Sequence, residues 1–320
     1  MVPAGLVRSK SLDGSVRAAD YARPRGESEV DTVAMEITRI GEFTLGWGES
    51  LVWDDERDRL YFVDCATRRL HWLDDGSDDL QTMQMASVPT GIVPMRDGRL
   101  VIVMQDGLYV VDPDAGTETL LTRTPEGLGE RANDACADLD GNLITGTLNL
   151  GPAEGSAWRY SSAGEWTLVD PEINNTNGPA VMELDGEMTL IVGDTGAHYF
   201  AYAYDGATGE VGERHVFGDV TDLDGAPDGS AVDVEGGLWC ALVGGAQLAR
   251  FTTAGLDRTV PLPLANPTDV AFGGRALDRL YVVSIAAADG SGSDLDGALL
   301  VIDGLGAHGR PEPRFAAKSR

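Results

Sequence analysis

The chain has 320 residues and a formal net charge of −28, with a sequence pI near 4.3. A surface this acidic repels nucleic-acid phosphates and anionic membranes, so neither is an expected partner. Hydrophobic residues make up 42% of the chain, enough for a large core, yet no apolar run reaches the ~18 residues of a membrane span.

Residues 1–34 read as a flexible N-terminal extension, because they hold few large apolar residues and no hydrophobic period. They also lack the apolar stretch of a secretory signal. Cys65, Cys136 and Cys240 form no C-x-x-C pair and read as free thiols. Both features point to a reducing compartment and a cytoplasmic location. Strand-like alternation begins at residues 35–40. Six similar segments follow, aligned on Leu60, Leu100, Leu143, Leu190, Leu238 and Leu280, at spacings of 40, 43, 47, 48 and 42 residues. A shorter apolar run precedes each, and a third run follows most of them. Asp-Gly, a strong hairpin-turn signal, occurs twelve times. Sustained helical periodicity is absent. This pattern predicts an all-β fold, a single six-bladed β-propeller over residues 35–320. Residues 35–40 are expected to pair with 298–303 as the outermost strand of the last blade and so close the ring.

Four polar strings stand at the beginnings of different repeats. They are Gly48-Glu49-Ser50, Arg131-Ala132-Asn133-Asp134, Asn177-Gly178 and Pro227-Asp228-Gly229. Glu49 lies 11 residues before its aligned leucine, Asn133 10, Asn177 13 and Asp228 10. Similar offsets in similar repeats predict similar heights around one channel. Each string alone is an ordinary turn; their common register is what singles them out. Carboxylate and amide groups converging in a narrow channel need a partner. A divalent cation supplies one, and an all-oxygen donor set suits Ca2+ better than a site tuned for zinc.

These strings resemble the signature segments of the senescence-marker-protein, regucalcin and gluconolactonase family, which includes luciferin-regenerating-enzyme-like proteins. So do Gly146-Thr147, Gly193-Asp194-Thr195 and Pro267-Thr268-Asp269-Val270-Ala271-Phe272-Gly273-Gly274. The resemblance spans about residues 41–315, in the family's order and spacing, and implies the same six-bladed fold. It implies that Glu49, Asn177 and Asp228 hold one divalent metal, with Ca2+, Zn2+, Mg2+ or Mn2+ accepted by different members. It implies that Arg131 and Asn133 contact the substrate, a small lactone, and that the activity is lactone hydrolysis. In that reading the metal polarises the carbonyl and Asp228, also a ligand, takes the proton from water. Asp134 and Asp194 read as supporting residues rather than ligands. Two positions depart from the family. Its acidic substrate contact falls near Asn149 and Leu150, with Glu154 displaced, and Pro179 replaces an aliphatic residue. An apolar wall at Leu150 disfavours a polyhydroxylated sugar lactone.

Two other functions fit the same residues: a calcium-binding propeller without catalysis, and a metal-dependent tailoring enzyme acting on a less polar metabolite. The four histidines show no metal-ligand spacing, and no G-x-S-x-G elbow is present. The acidic string of residues 289–296 misses the EF-hand ligand order and reads as a hairpin loop.

Overall fold

The computed structural model describes residues 16–17, 34–125, 131–148, 155–287 and 292–317. Among these residues there is no helix, and the strands form six sheets arranged as a β-propeller. Blade 1 is Gly48–Asp54, Arg59–Asp64, Arg69–Asp74 and Gln81–Gln84. Blade 2 is Pro89–Pro94, Leu100–Met104, Gly107–Asp112 and Thr117–Arg123. Blade 3 is Arg131–Ala137, Leu143–Leu148, Ala157–Tyr160 and Trp166–Asp170. Blade 4 is Thr176–Leu184, Glu187–Asp194, His198–Ala203 and His215–Asp219. Blade 5 is Ala226–Val232, Leu238–Val243, Gln247–Thr252 and Gly255–Pro261. Blade 6 takes Pro267–Gly273, Arg279–Ser284 and Leu299–Asp303 from the end of the chain and Glu36–Ile40 from its beginning.

That last blade closes the ring as expected. Glu36–Ile40 pairs antiparallel with Leu299–Asp303, from Glu36 opposite Asp303 to Ile40 opposite Leu299. The two-residue strand Val16–Arg17 adds to its outer edge, opposite Ile37 and Glu36. The chain's two halves are thus tied by a sheet ladder.

All six aligned leucines lie on the second strand of their blades, exposed by 2% or less. Successive side chains on a strand point to opposite faces, and here each face meets a different neighbour. Leu143 packs toward blade 2, whereas Ile144 packs toward blade 4. The core is therefore six apolar layers, one between each pair of adjacent blades. Cys65 and Cys240 are buried in these layers, and all three cysteines are free thiols. His71 stacks on Phe62 and bonds the Thr82 hydroxyl, as a satisfied strand histidine does.

Each inner strand carries a register break that begins within its first three residues, between Glu49 and Val52 in blade 1 and between Pro227 and Ser230 in blade 5, for example. A bulge twists the strand and re-aims its side chains. Side chains at these bulges reach the neighbouring blade. Ser50 Oγ accepts from the Ile92 amide at 2.7 Å, and Thr90 Oγ1 donates to the Ala132 carbonyl at 3.1 Å. Ser230 Oγ donates to the Gly178 carbonyl at 2.8 Å, and Thr268 Oγ1 to the Gly48 carbonyl at 2.5 Å. Early residues meet early residues throughout, so the six inner strands run parallel around the channel with their starts at one end.

The other end is covered by the C-terminal segment. Gly309 bridges to Asp233, Arg310 donates to the Val181 carbonyl, and Phe315 bridges to Met95. Arg314 binds Asp54 at 2.6 Å and Asp55 at 2.8 Å. This strap crosses the mouth from blade 5 to blades 2 and 1, and its Glu312 lines the channel.

Candidate metal and substrate site

The residues singled out in sequence come together at the bulged starts of the inner strands. They lie inside the strands themselves, not in preceding loops. Asn177 and Asp228 are buried, each 6% exposed, while Glu49, Asn133 and Arg131 are partly buried.

Asn133 and Asn177 touch directly. Asn133 Nδ2 donates to Asn177 Oδ1 at 2.8 Å and to the Thr176 carbonyl at 3.0 Å. Asn177 Nδ2 donates to Thr195 Oγ1 at 2.6 Å. These bonds set the amide's orientation and leave Oδ1 one further lone pair for a ligand. Asp228 is fixed through its backbone, whose carbonyl accepts from the Tyr199 hydroxyl at 2.6 Å. Gly178 is required beside it. Its φ is +48°, and a Cβ there would stand 2.7 Å from the Asp228 carbonyl. Glu49 Oε1 accepts from the Trp47 indole at 2.9 Å, and the Arg131 guanidinium lies 5.1 Å from the centre of the same indole.

Two further carboxylates share the enclosure. Asp134 accepts from the amides of Gly178 and Ala135, each at 2.7 Å. Asp269 accepts from Leu51 at 2.5 Å and Val270 at 2.7 Å. Both act as clasps between blades, which matches the supporting role expected of Asp134. With Ser50, Ser230 and Glu312 they line a channel cavity of about 40 Å³, roomy enough for water. Asp194 accepts from the Asn175 amide at 3.2 Å and caps its strand.

The electrostatics are unbalanced. Burial, then the charge of Asp134, pushes Glu49 up to about 8 against the Trp47 hydrogen bond and the charge of Arg131. Burial pushes Asp134 up to about 6, although two amides hold its charged form. Asp228 and Asp269 are raised well above the carboxylate range, first by burial and then by the neighbouring carboxylates. Four carboxyls thus repel one another with one guanidinium nearby. A divalent cation would relieve that repulsion, and the donors Glu49, Asn177 and Asp228 are all oxygen, as a hard cation requires. Among the described residues no group of three or more His, Cys, Asp and Glu side chains is arranged to hold a metal.

Sequence reasoning did not single out Asp269, Glu312 or Arg310. Asp269 sits at the bulge of blade 6, in the register that marked the others, and that register could have found it. Nothing in the C-terminal segment signals that it plugs the channel. Asn149, Leu150 and Glu154, where the family's acidic contact was sought, lie outside the described residues. Among the described residues no helix is long and apolar enough to cross a membrane.

Comparison with known proteins places the chain in a family and supports its fold. Residues 47–286 match the family model of the SMP-30/gluconolactonase/LRE-like region. A pentonolactonase of Haloferax volcanii is 33% identical over 292 residues, covering 88% of this chain and 98% of that protein. Regucalcin of Xenopus laevis is 28% identical over 304 residues, covering 88% and 99%. A solved luciferin-regenerating enzyme superposes with a TM-score of 0.79 at 26% identity, over 87% of this chain and 98% of that one. The chain belongs to the SMP-30/gluconolactonase/LRE-like family, in which named lactonases are among its relatives.

Proposed function

We propose that this protein is a metal-dependent lactonase, a hydrolase that opens a small cyclic ester at the start of the propeller channel. Glu49, Asn177 and Asp228 hold one divalent cation, Ca2+ in the first instance, and Arg131 and Asn133 contact the substrate. The observation that supports this most is the convergence of a partly buried and a buried carboxyl, mutually repelling, with an amide oxygen whose orientation two hydrogen bonds set. The relative named pentonolactonase supplies the reaction class.

When bound, the cation would act as a Lewis acid on the ester carbonyl. Asp228 accepts a proton from the attacking water and returns it to the ring oxygen as the acyl C–O bond breaks. Water adds across that bond, giving a hydroxy acid that releases a proton at neutral pH. Arg131 offers planar, forked donors to the oxygens of the substrate or to the new carboxylate. Asn133 Nδ2 already serves Asn177, so its carbonyl oxygen is the group left for a substrate hydroxyl. Burial and the neighbouring carboxyls weaken the acidity of Asp228; a cation beside it would favour the carboxylate that a base requires.

The test is proton release, followed with a pH indicator, over a panel of sugar lactones and apolar-substituted lactones, with and without chelator. Chelator-sensitive acid release supports the reading. No release from any lactone by metal-loaded protein would reject hydrolysis. Stoichiometric cation uptake in that same protein would then favour the alternative of a calcium-binding propeller without catalysis.

A further inference from the structure

Trp47 has no place in the scheme above, yet it touches both halves of the site. Its Nε1 donates to Glu49 Oε1 at 2.9 Å, and its ring carries the Arg131 guanidinium at 5.1 Å. We infer that Trp47 is the positioning residue that couples the cation site to the substrate-gripping arginine, through one indole that uses its edge for one and its face for the other. The inference rests on the lactonase reading for the identity of the two halves.

Three observations carry it. First, the indole is held rigidly. The Trp47 amide donates to Asp64 Oδ1 at 3.0 Å, its carbonyl accepts from the Cys65 amide at 2.9 Å, and its backbone bridges to Ile285 of the neighbouring blade. Asp64 in turn accepts from the amides of Gly46, Ala66 and Thr67, so a buried carboxylate pins the whole turn. The ring packs against the apolar layer between blades 1 and 2. Second, among the described residues Arg131 makes no ion pair and its buried Nε has no hydrogen-bond partner. In a chain with 52 acidic residues that is an unusual state for an arginine. Held over an aromatic face, the guanidinium is positioned without its donors being used up, which leaves them for a carboxylate or for ester oxygens. Third, among the described residues the Trp47 indole is the one side chain that donates to Glu49, so its N–H occupies Oε1 and biases which oxygen faces a cation. Partners of this kind commonly change metal affinity by about 10–100-fold when removed.

The two functions of the ring separate by substitution. Trp47→Phe removes the N–H and keeps a face; Trp47→Leu removes both. Ca2+ binding to cation-free protein is measured by calorimetry, gluconate binding by competition, and KM and kcat by acid release. Trp47→Phe is expected to weaken Ca2+ by about 10-fold with gluconate affinity and KM nearly unchanged. Trp47→Leu is expected to weaken both ligands and to raise KM. Melting temperatures of both variants identify any that fail to fold, and Trp47→Phe, close to isosteric, keeps the test open if Trp47→Leu does not. Folded variants that bind Ca2+ and gluconate as the parent does would overturn the inference. If the parent itself binds no divalent cation, the metal reading fails separately. Gluconate affinity of Trp47→Leu against Trp47→Phe then decides, and equal affinities would reject the positioning role.

Discussion

Asp228 and Asp233 stand five residues apart on the inner strand of blade 5 and the turn that follows it, both almost fully buried, at 6% and 2% exposure. Their surroundings are opposite. Burial would raise the Asp233 carboxyl, but the Arg250 guanidinium, the Gly237 amide and the Trp239 indole outweigh it and hold the group below its ordinary range. Asp228 has burial and three other carboxyls acting on it, and its acidity is weakened. The same contrast runs around the ring. At the strapped end, Asp54 accepts from Arg57, Arg314 and the Glu56 amide, and Asp138 from Asn142 and Tyr204. At the end where the inner strands start, Glu49, Asp134, Asp228 and Asp269 act on one another. A buried acid paired with a cation and amides holds blades and turns together; a buried acid among other carboxyls has its charged form disfavoured.

The sharpest way to break this comparison is one isosteric change at each end. Asp228→Asn should lower kcat by roughly 10²–10⁴-fold, the range for loss of a general base, while the melting temperature holds or rises, because one repelling charge is gone. Full activity in that variant would remove Asp228 from the chemistry. Asp233→Asn should do the reverse. Leaving Arg250 without its buried partner should cost about 3–5 kcal/mol in denaturant unfolding, with kcat of the folded enzyme little altered. Equal effects of the two variants on turnover would erase the distinction between the ends.

The pH dependence of the cation-free protein sharpens it further. Glu49 rises from 4.5 to about 8 and Asp134 from 3.8 to about 6 on folding. A carboxyl whose folded pKa lies above its unfolded value binds its proton more tightly in the native state. Stability is therefore full below the unfolded pKa and is lost as pH climbs toward the folded one. With chelator present, the melting temperature should fall between about pH 5 and about pH 8, and Ca2+ should restore most at the upper limit. A flat profile in chelator would mean that the four carboxyls are not in conflict. Arg314→Ala probes the other end more gently. Asp54 keeps Arg57 and one amide, so the loss should be about 1–3 kcal/mol with turnover unaffected.

What was legible in the sequence follows the physics of each feature. The ring of six was readable because every blade repeats one buried leucine on its second strand, and a repeated packing demand leaves a repeated residue. The candidate site residues could be named because similar offsets recur from repeat to repeat, so register alone aligns Glu49, Asn133, Asn177 and Asp228. The strap was not readable. Arg310, Glu312 and Arg314 are placed by contacts with blades far away in sequence, and no period announces such contacts. Trp47 was hidden for a related reason: its importance lies in an indole edge and face whose partners are Glu49 and Arg131, the second on a different blade.

The smallest expected effect concerns the extension. Deletion of residues 1–33 removes Val16–Arg17, whose ladder with Glu36 and Ile37 is two residues long and at the sheet's outer edge. Two edge bonds at this site should contribute no more than about 1 kcal/mol, and the melting temperature should hardly move. Deletion of residues 1–41 also removes Glu36–Ile40, which supplies five paired positions to blade 6 and buries Ile37 in the layer shared with blade 5. It strips the ladder that joins the two ends of the chain and exposes the edge of Leu299–Asp303, so cooperative unfolding should be lost. If the shorter deletion proves as damaging as the longer one, the extension is part of the propeller, and its boundary lies before residue 34.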